Sequence, residues 1–217
     1  AIDVYDNAMF IIALDYLLEM APDSPQASRW KSLREGIERN VRAHLWDEKR
    51  QKFIPHIYPE KSPIPEGFDE LAIHYHGGTA IAIEAGLLSK DEIRTVNAQM
   101  LENVRLSGMP SIGLTLYPVY PDGFFHGGMS KAYLYQNGGD WTWFGGRMIQ
   151  QLVVNGMVEE AYAEIHPMIK RVIQNDGFYE WYGKGGVPSG SGNFKGSAGV
   201  LSKAIELLRD WAEKNKN

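Results

Sequence analysis

A chain of 217 residues with a net charge of -5, a pI near 5.7 and no basic run lacks the electrostatic footprint of a nucleic-acid or anionic-membrane binder. Its 44% hydrophobic and 23% charged composition is that of a globular protein able to bury a sizeable core, and the chain is read as a single domain, 1–217. With zero cysteines there is no disulfide frame and no thiolate metal site, which leaves cytoplasmic, periplasmic and secreted locations equally open.

No apolar run reaches the ~18 residues of a membrane span, and the first residues lack the basic-then-apolar pattern of a leader. His74 and His76 are two apart, on different faces of a helix, and no His-Glu-x-x-His pattern occurs, so neither a metal nor a cofactor is expected.

In chain order, residues 4–21 carry Ala8, Met9, Ile12, Ala13, Tyr16 and Leu17 at helical spacing, stopped by Pro22-Asp23-Ser24-Pro25. Residues 26–46 form an amphipathic helix with Trp30, Leu33, Ile37, Val41 and Leu45 on one stripe. A proline-rich loop, 46–69, leads to an apolar, small-residue helix over 70–86 that includes Gly77-Gly78 and needs tertiary packing to hold it. Ser89 followed by Glu92 signals the capping box of a polar helix to about Leu106. An aromatic, Pro- and Gly-rich loop, 107–136, precedes an apolar helix over 137–154. Residues 157–174 are charged again, with Pro167 expected to kink or restart them. A third loop, 175–193, precedes the last helix, 194–213.

These seven helices alternate between apolar, small-residue segments and charged, amphipathic ones, which predicts an inner and an outer layer of helical hairpins, an all-α α/α toroid. Inner-to-outer links are short and outer-to-inner links long. All long loops therefore lie on one face, where the inner helices present their N-termini. Seven helices do not close a ring of six hairpins, so a partial (α/α)6 barrel is expected, its N-terminal part missing or supplied by another chain.

The run Tyr135 to Arg147, Tyr-Gln-Asn-Gly-Gly-Asp-Trp-Thr-Trp-Phe-Gly-Gly-Arg, joins a carboxylate, an amide and two indoles to four glycines. Indole faces beside hydrogen-bonding groups, with backbone able to approach closely, suit a sugar. They equally suit an N-capped helix with two core tryptophans.

Three places carry a resemblance to the C-terminal half of the six-hairpin (α/α)6-barrel glycosidases, the group of glucoamylases, trehalases, processing α-glucosidases and amylo-α-1,6-glucosidases. Tyr135-Gln136-Asn137-Gly138-Gly139-Asp140-Trp141 is similar to their Tyr-His/Gln-Asn-Gly-x-x-Trp segment. Gly177-Phe178-Tyr179-Glu180-Trp181-Tyr182, followed by a Gly-rich stretch and Gly196-Ser197-Ala198, resembles the aromatic loop that holds their general base. Asp6-Asn7-Ala8 and the helix after His76-Gly77-Gly78 fit earlier hairpins more loosely. The chain departs from many relatives at Lys195-Gly196-Ser197, where they have Trp-Ser.

The resemblance implies an inverting, exo-acting glycoside hydrolase on an α-linked gluco-type saccharide, or a portion of one, with Glu180 as general base. Asp140 has two readings, general acid opposite Glu180 or positioning of sugar hydroxyls, and a third as a helix N-cap; Asp3 and Asp6 are further acid candidates. In the related families the acid lies well before the base, which places it at or before residue 1. Trp141, Trp143, Trp181, Tyr182, Tyr117, Phe124 and Phe125 are candidate stacking surfaces. Asn137, His74, His76, His126 and Arg147 are candidate hydrogen-bonding groups, with Arg147 and Lys184 gaining weight for a uronic acid. Two other readings stay open: a non-catalytic carbohydrate-binding or structural toroid, and a sugar isomerase or lyase on the same barrel.

Overall fold

The structure, a computed structural model, describes residues 1–216. Helix α1, Val4–Met20, starts where the Asp3 carboxylate accepts the Asp6 amide at 2.9 Å, and it buries Val4, Ala8, Ile11 and Leu14 at intervals of three and four residues. Helix α2, Ala27–His44, is charged on its outer side, and its buried residue is Val41. A two-residue hairpin follows, β1 (Trp46–Asp47) antiparallel to β2 (Lys52–Phe53) with Trp46 opposite Phe53.

Helix α3, His76–Glu84, is buried continuously from His76 to Ile83, which is why it survives two glycines. Helix α4, Lys90–Ser107, carries the expected capping box: Ser89 Oγ accepts the Glu92 amide and Glu92 accepts the Ser89 amide at 2.7 Å. Helices α5, Thr142–Val154, and α6, Val158–Asn175, make the third hairpin. A last loop with β3 (Trp181–Tyr182) antiparallel to β4 (Pro188–Ser189) leads to α7, Lys195–Lys214.

The inner row runs α1, α3, α5, α7, each helix packed on the next, with α2 against α1, α4 against α3, and α6 against α5 and α7. This is the expected all-α α/α architecture. Close approach depends on missing side chains: a Cβ on Gly77 would press the Phe144 ring at 3.3 Å, and one on Gly145 would collide with Met168 and the Gly113 backbone. One continuous core joins the inner helices to the inward stripes of the outer ones. At its two ends the row exposes large apolar side chains, Phe10, Tyr16 and Met20 on α1 and Ile205 and Trp211 on α7.

Three local expectations are corrected. The helix expected over 70–86 begins at His76; Glu70–Ala72 is a 3-10 turn, and His74 exchanges backbone hydrogen bonds with Tyr117 at 2.7 and 3.1 Å, which an α-helix would forbid. The helix expected from 137 begins at Thr142, because Asp140 pairs in the same way with Tyr182, at 2.9 and 2.8 Å. Helix α6 runs through Pro167, where the carbonyl that loses its partner belongs to the exposed Ala163.

Backbone bonds stitch the loops into one face. Ile2 pairs with Ile57, His74 with Tyr117, Thr115 with Gly77 and Gly139, Trp141 with Gly113, and Asp140 with Tyr182. The short segments before α3, α5 and α7 are thereby joined in series above the inner helices. A small apolar cluster of Ile73, Leu116 and Tyr120, with Phe68, Phe124 and Phe125 around it, gives this layer its own core. Among the described residues no helix is long and apolar enough to cross a membrane.

Candidate active site on the loop face

Glu180 sits one residue before β3, half-buried, with its amide donating to Ser191 O at 3.0 Å and its Oε2 accepting the Ser191 amide at a long 3.4 Å. The space for its carboxylate exists because residue 190 is glycine: a Cβ on Gly190, at φ +72°, would lie 2.4 Å from Glu180 Oε2. Next to it, Trp181 stands edge-on to Tyr135 at 6.3 Å, and Tyr135 stands edge-on to Trp141 at 4.8 Å, which in turn meets Phe194 at 6.2 Å. Trp181 belongs to this aromatic row on the loop face, while the Glu180 carboxylate rests against Gly190 and Ser191.

Asp140 is placed differently from each expected role. Its carboxylate is fully buried, with Oδ1 accepting from Arg171 Nη1 at 2.8 Å and Oδ2 from Ser111 Oγ at 2.7 Å. Arg171 also donates to Thr142 Oγ1 at 2.6 Å and lies over the Tyr182 ring, 4.0 Å from its centroid. The residue capping α5 is Trp141, without a side-chain bond. Asp140 is thus sealed into an ion pair with an outer helix and is not in reach of a ligand at the mouth. Burial, and secondarily the charge of Asp140, pull the Glu164 carboxyl on α6 upward.

Several other expected ligand groups are engaged within the protein. Asn137, fully buried, accepts the Tyr120 amide at 2.9 Å and donates to the carbonyls of Tyr120 and Lys131, so it staples the long loop to itself. His76 is buried against α4, its Nε2 accepting from the Asn103 amide at 2.9 Å, and burial pushes its pKa down to about 3. Burial likewise pushes His74, stacked on it, down to about 4.

Tyr182 and Trp141 are buried and offer no stacking surface; Trp141 donates its indole N–H to Tyr135 O at 3.1 Å. Arg147 is paired with Glu84 of α3 and lies over Trp143, 4.3 Å from the ring centroid, so its charge is already matched. Phe124 and Phe125 pack on Tyr120 inside the loop layer. Asp3 caps α1, whereas Asp6 is exposed. Lys184 lies over Tyr133, 3.9 Å from its centroid. Tyr117 is half-buried, bonded through its backbone to His74, and His126 is exposed at the start of a short 3-10 turn.

Two arrangements were not anticipated. Arg171 read as one charge among several on an outer helix; an arginine at the wide apolar seam of an amphipathic helix was the available signal. The second is Glu70, whose Oε1 accepts from Tyr58, Tyr120 and His56 at 2.8, 2.6 and 2.8 Å.

Neither a protein-family description nor any curated protein matches the sequence. Solved structures do. A GH63 mannosylglycerate hydrolase from Thermus thermophilus matches in complex with glucose at a TM-score of 0.63 and in complex with Tris and D-glycerate at 0.59, each at 17% identity over 96% of this chain. A structure described as an uncharacterized conserved protein from the same organism matches at a TM-score of 0.65, also at 17% identity. The chain is similar in fold to a GH63 hydrolase. It spans 46 to 47% of the length of these matched chains. At this identity the likeness establishes the α/α fold, and the chemistry has to be argued from the site.

Proposed function

We propose that the chain is a glycoside hydrolase, or a portion of one, cleaving an α-linked gluco-type saccharide from its end with inversion. The observation that carries this is Glu180, a half-buried carboxylate that fits against Gly190 and accepts the Ser191 amide in the loop before the last inner helix, where the next residue, Trp181, stands edge-on to Tyr135. An inverting reaction needs one carboxylate to activate water and one carboxylic acid to protonate the leaving oxygen, roughly 6.5–9.5 Å apart. Glu180 takes the first role, drawing the proton from a water that attacks the anomeric carbon as the bond to the leaving oxygen breaks.

Asp140 is assigned a positioning role, holding the Glu180 segment through its backbone bonds to Tyr182. The acid is assigned to a part of the barrel beyond the helices described, consistent with the exposed apolar ends of the inner row and with the chain spanning under half of its structural neighbours. The single domain 1–217 is read accordingly as a partial barrel that works with a second half, on the same polypeptide or another. Trp181 and Tyr135 are the sugar-facing aromatics in this reading, with Tyr117 and His126 further along the same face.

The test is a panel of α- and β-glycosides followed by proton NMR. Release of sugar in the anomeric form opposite to that of the substrate supports the proposal, and retained configuration excludes inversion. A second reading, a non-catalytic carbohydrate-binding toroid, is favoured by one observation: Asp140 and Asp3 are both committed to internal contacts, so the described inner-helix starts offer Glu180 little choice of acid partner. Calorimetric sugar binding without product from any glycoside would select it.

A further inference from the structure

Glu70 opens the 3-10 turn ahead of α3, and three loop segments converge on it. His56 and Tyr58 are two apart around the Ile57–Ile2 bridge, so their side chains share one side of an extended segment. Tyr120 arrives from the loop after α4. All three donate to the same oxygen, Glu70 Oε1: His56 Nδ1 at 2.8 Å, Tyr58 Oη at 2.8 Å and Tyr120 Oη at 2.6 Å.

This concentration on one oxygen has two consequences. The Glu70 side chain is fixed in place while its other oxygen, Oε2, is left with no protein partner among the described residues. In the neutral tautomer that donates from Nδ1 to Glu70, His56 Nε2 is an acceptor, also without a protein partner among them. Both side chains are partly exposed, His56 at 26% and Glu70 at 11%. The rings of Tyr58 and Tyr75 flank the imidazole, with centroids 5.7 and 6.4 Å from it.

Two acceptors on side chains that are joined through the Nδ1–Oε1 hydrogen bond, one of them a carboxylate oxygen, disfavour carboxylates and phosphates and accept from neutral hydroxyl donors. Flat rings alongside suit the apolar face of a pyranose. A carboxylate already held by three donors loses little further freedom when it meets a hydroxyl. Glu70 precedes inner helix α3, and His56 adjoins Ile57, which bridges to Ile2 just before inner helix α1, as Glu180 lies in the loop before inner helix α7.

We propose that His56 Nε2 and Glu70 Oε2 form a hydroxyl-binding subsite for a saccharide or polyol unit on the leaving-group side of the bond that Glu180 acts on. The position relative to the cleaved bond rests on the glycosidase reading above; the hydroxyl-binding role does not.

The probe is methyl α-D-glucopyranoside at millimolar concentration, read by saturation-transfer NMR and by the His56 Hε1 resonance, in a Glu180→Gln background. The variants are His56→Asn, which keeps a donor at the Nδ1 position and deletes Nε2, and Glu70→Gln. The expected result is a glucoside-dependent shift of His56 Hε1 in the parent, and binding weakened about tenfold or more in each variant with unchanged melting temperature of His56→Asn. Equal affinity in folded His56→Asn and the parent, or no response of His56 in the parent, overturns the subsite. Hydrolysis surviving in Glu180→Gln removes the catalytic reading alone and leaves the His56 result to stand by itself.

Discussion

The guanidinium of Arg171, on an outer helix, lies 2.8 Å from the carboxylate of Asp140, at the start of an inner one, and both side chains are sealed from water. The pair spans the two layers. Because Asp140 also exchanges backbone bonds with Tyr182, the segment two residues beyond Glu180 is tied to both helices at once.

Breaking one side of a buried pair leaves an uncompensated charge, at a cost of about 3–5 kcal/mol. Arg171→Met is expected to lose about that much in urea unfolding. Adding Asp140→Leu to it should recover part of the loss, because no charge is then left unpaired. A loss under about 1 kcal/mol for Arg171→Met would mean that water reaches Asp140 and the pair is not buried in solution.

Acid should weaken the fold through His76. Its unfolded pKa is about 6.5, and burial lowers the folded value to about 3, so between these values the unfolded chain binds a proton that the folded chain does not. Stability contributed by the neutral ring is complete above pH 6.5 and is lost as pH falls toward 3. From pH 7 to pH 5 His76 alone should account for about 2 kcal/mol. His74, lowered to about 4, adds in the same direction. Unfolding free energies measured across this range should fall with acid, and His76→Gln should flatten the slope whatever it does to the plateau; an unchanged slope would place the ring in water.

Glycine content has opposite meanings at two positions. A Cβ on Gly113 would lie 2.2 Å from Asp140 Oδ1 and 2.5 Å from Trp141 O, whereas one on Gly36, inside α2, would meet only the end of Arg39 at 3.9 Å. Gly36→Ala should therefore stabilise by about 0.5–1 kcal/mol through helix propensity. Gly113→Ala should cost several times that by displacing Asp140 from its partners. Thermal melts of the two variants shifting in the same direction would contradict this.

The layer architecture was legible because its signals are periodic. The helical periods of residues 4–21 and of Trp30 to Leu45 and the Ser89–Glu92 capping box each report on local backbone, and the structure keeps the helices and the cap. The face that α1 buries is Val4, Ala8, Ile11 and Leu14, whereas the expected Ala13, Tyr16 and Leu17, and Leu33 of α2, are exposed. Glu180 was singled out by its aromatic neighbours in sequence and the resemblance they carry, and its catalytic role is a proposal. The setting of Asp140 was not legible, because a lone carboxylate before an apolar helix looks like a cap or a ligand, and its true partner lies 31 residues away on another helix. The helix starts before His76 and Thr142 were misplaced for a related reason. Residues with adequate helical propensity were drawn instead into backbone pairs with Tyr117 and Tyr182, contacts across distant segments that no local pattern announces.

The central claim is that Glu180 activates water for glycoside hydrolysis. Its most direct test is the initial rate of glycoside cleavage by Glu180→Gln beside the wild-type chain, both shown folded by circular dichroism. Loss of the general base should lower turnover by at least about a hundredfold with the melting temperature preserved. Turnover within a few-fold of wild type in the folded variant would contradict the account.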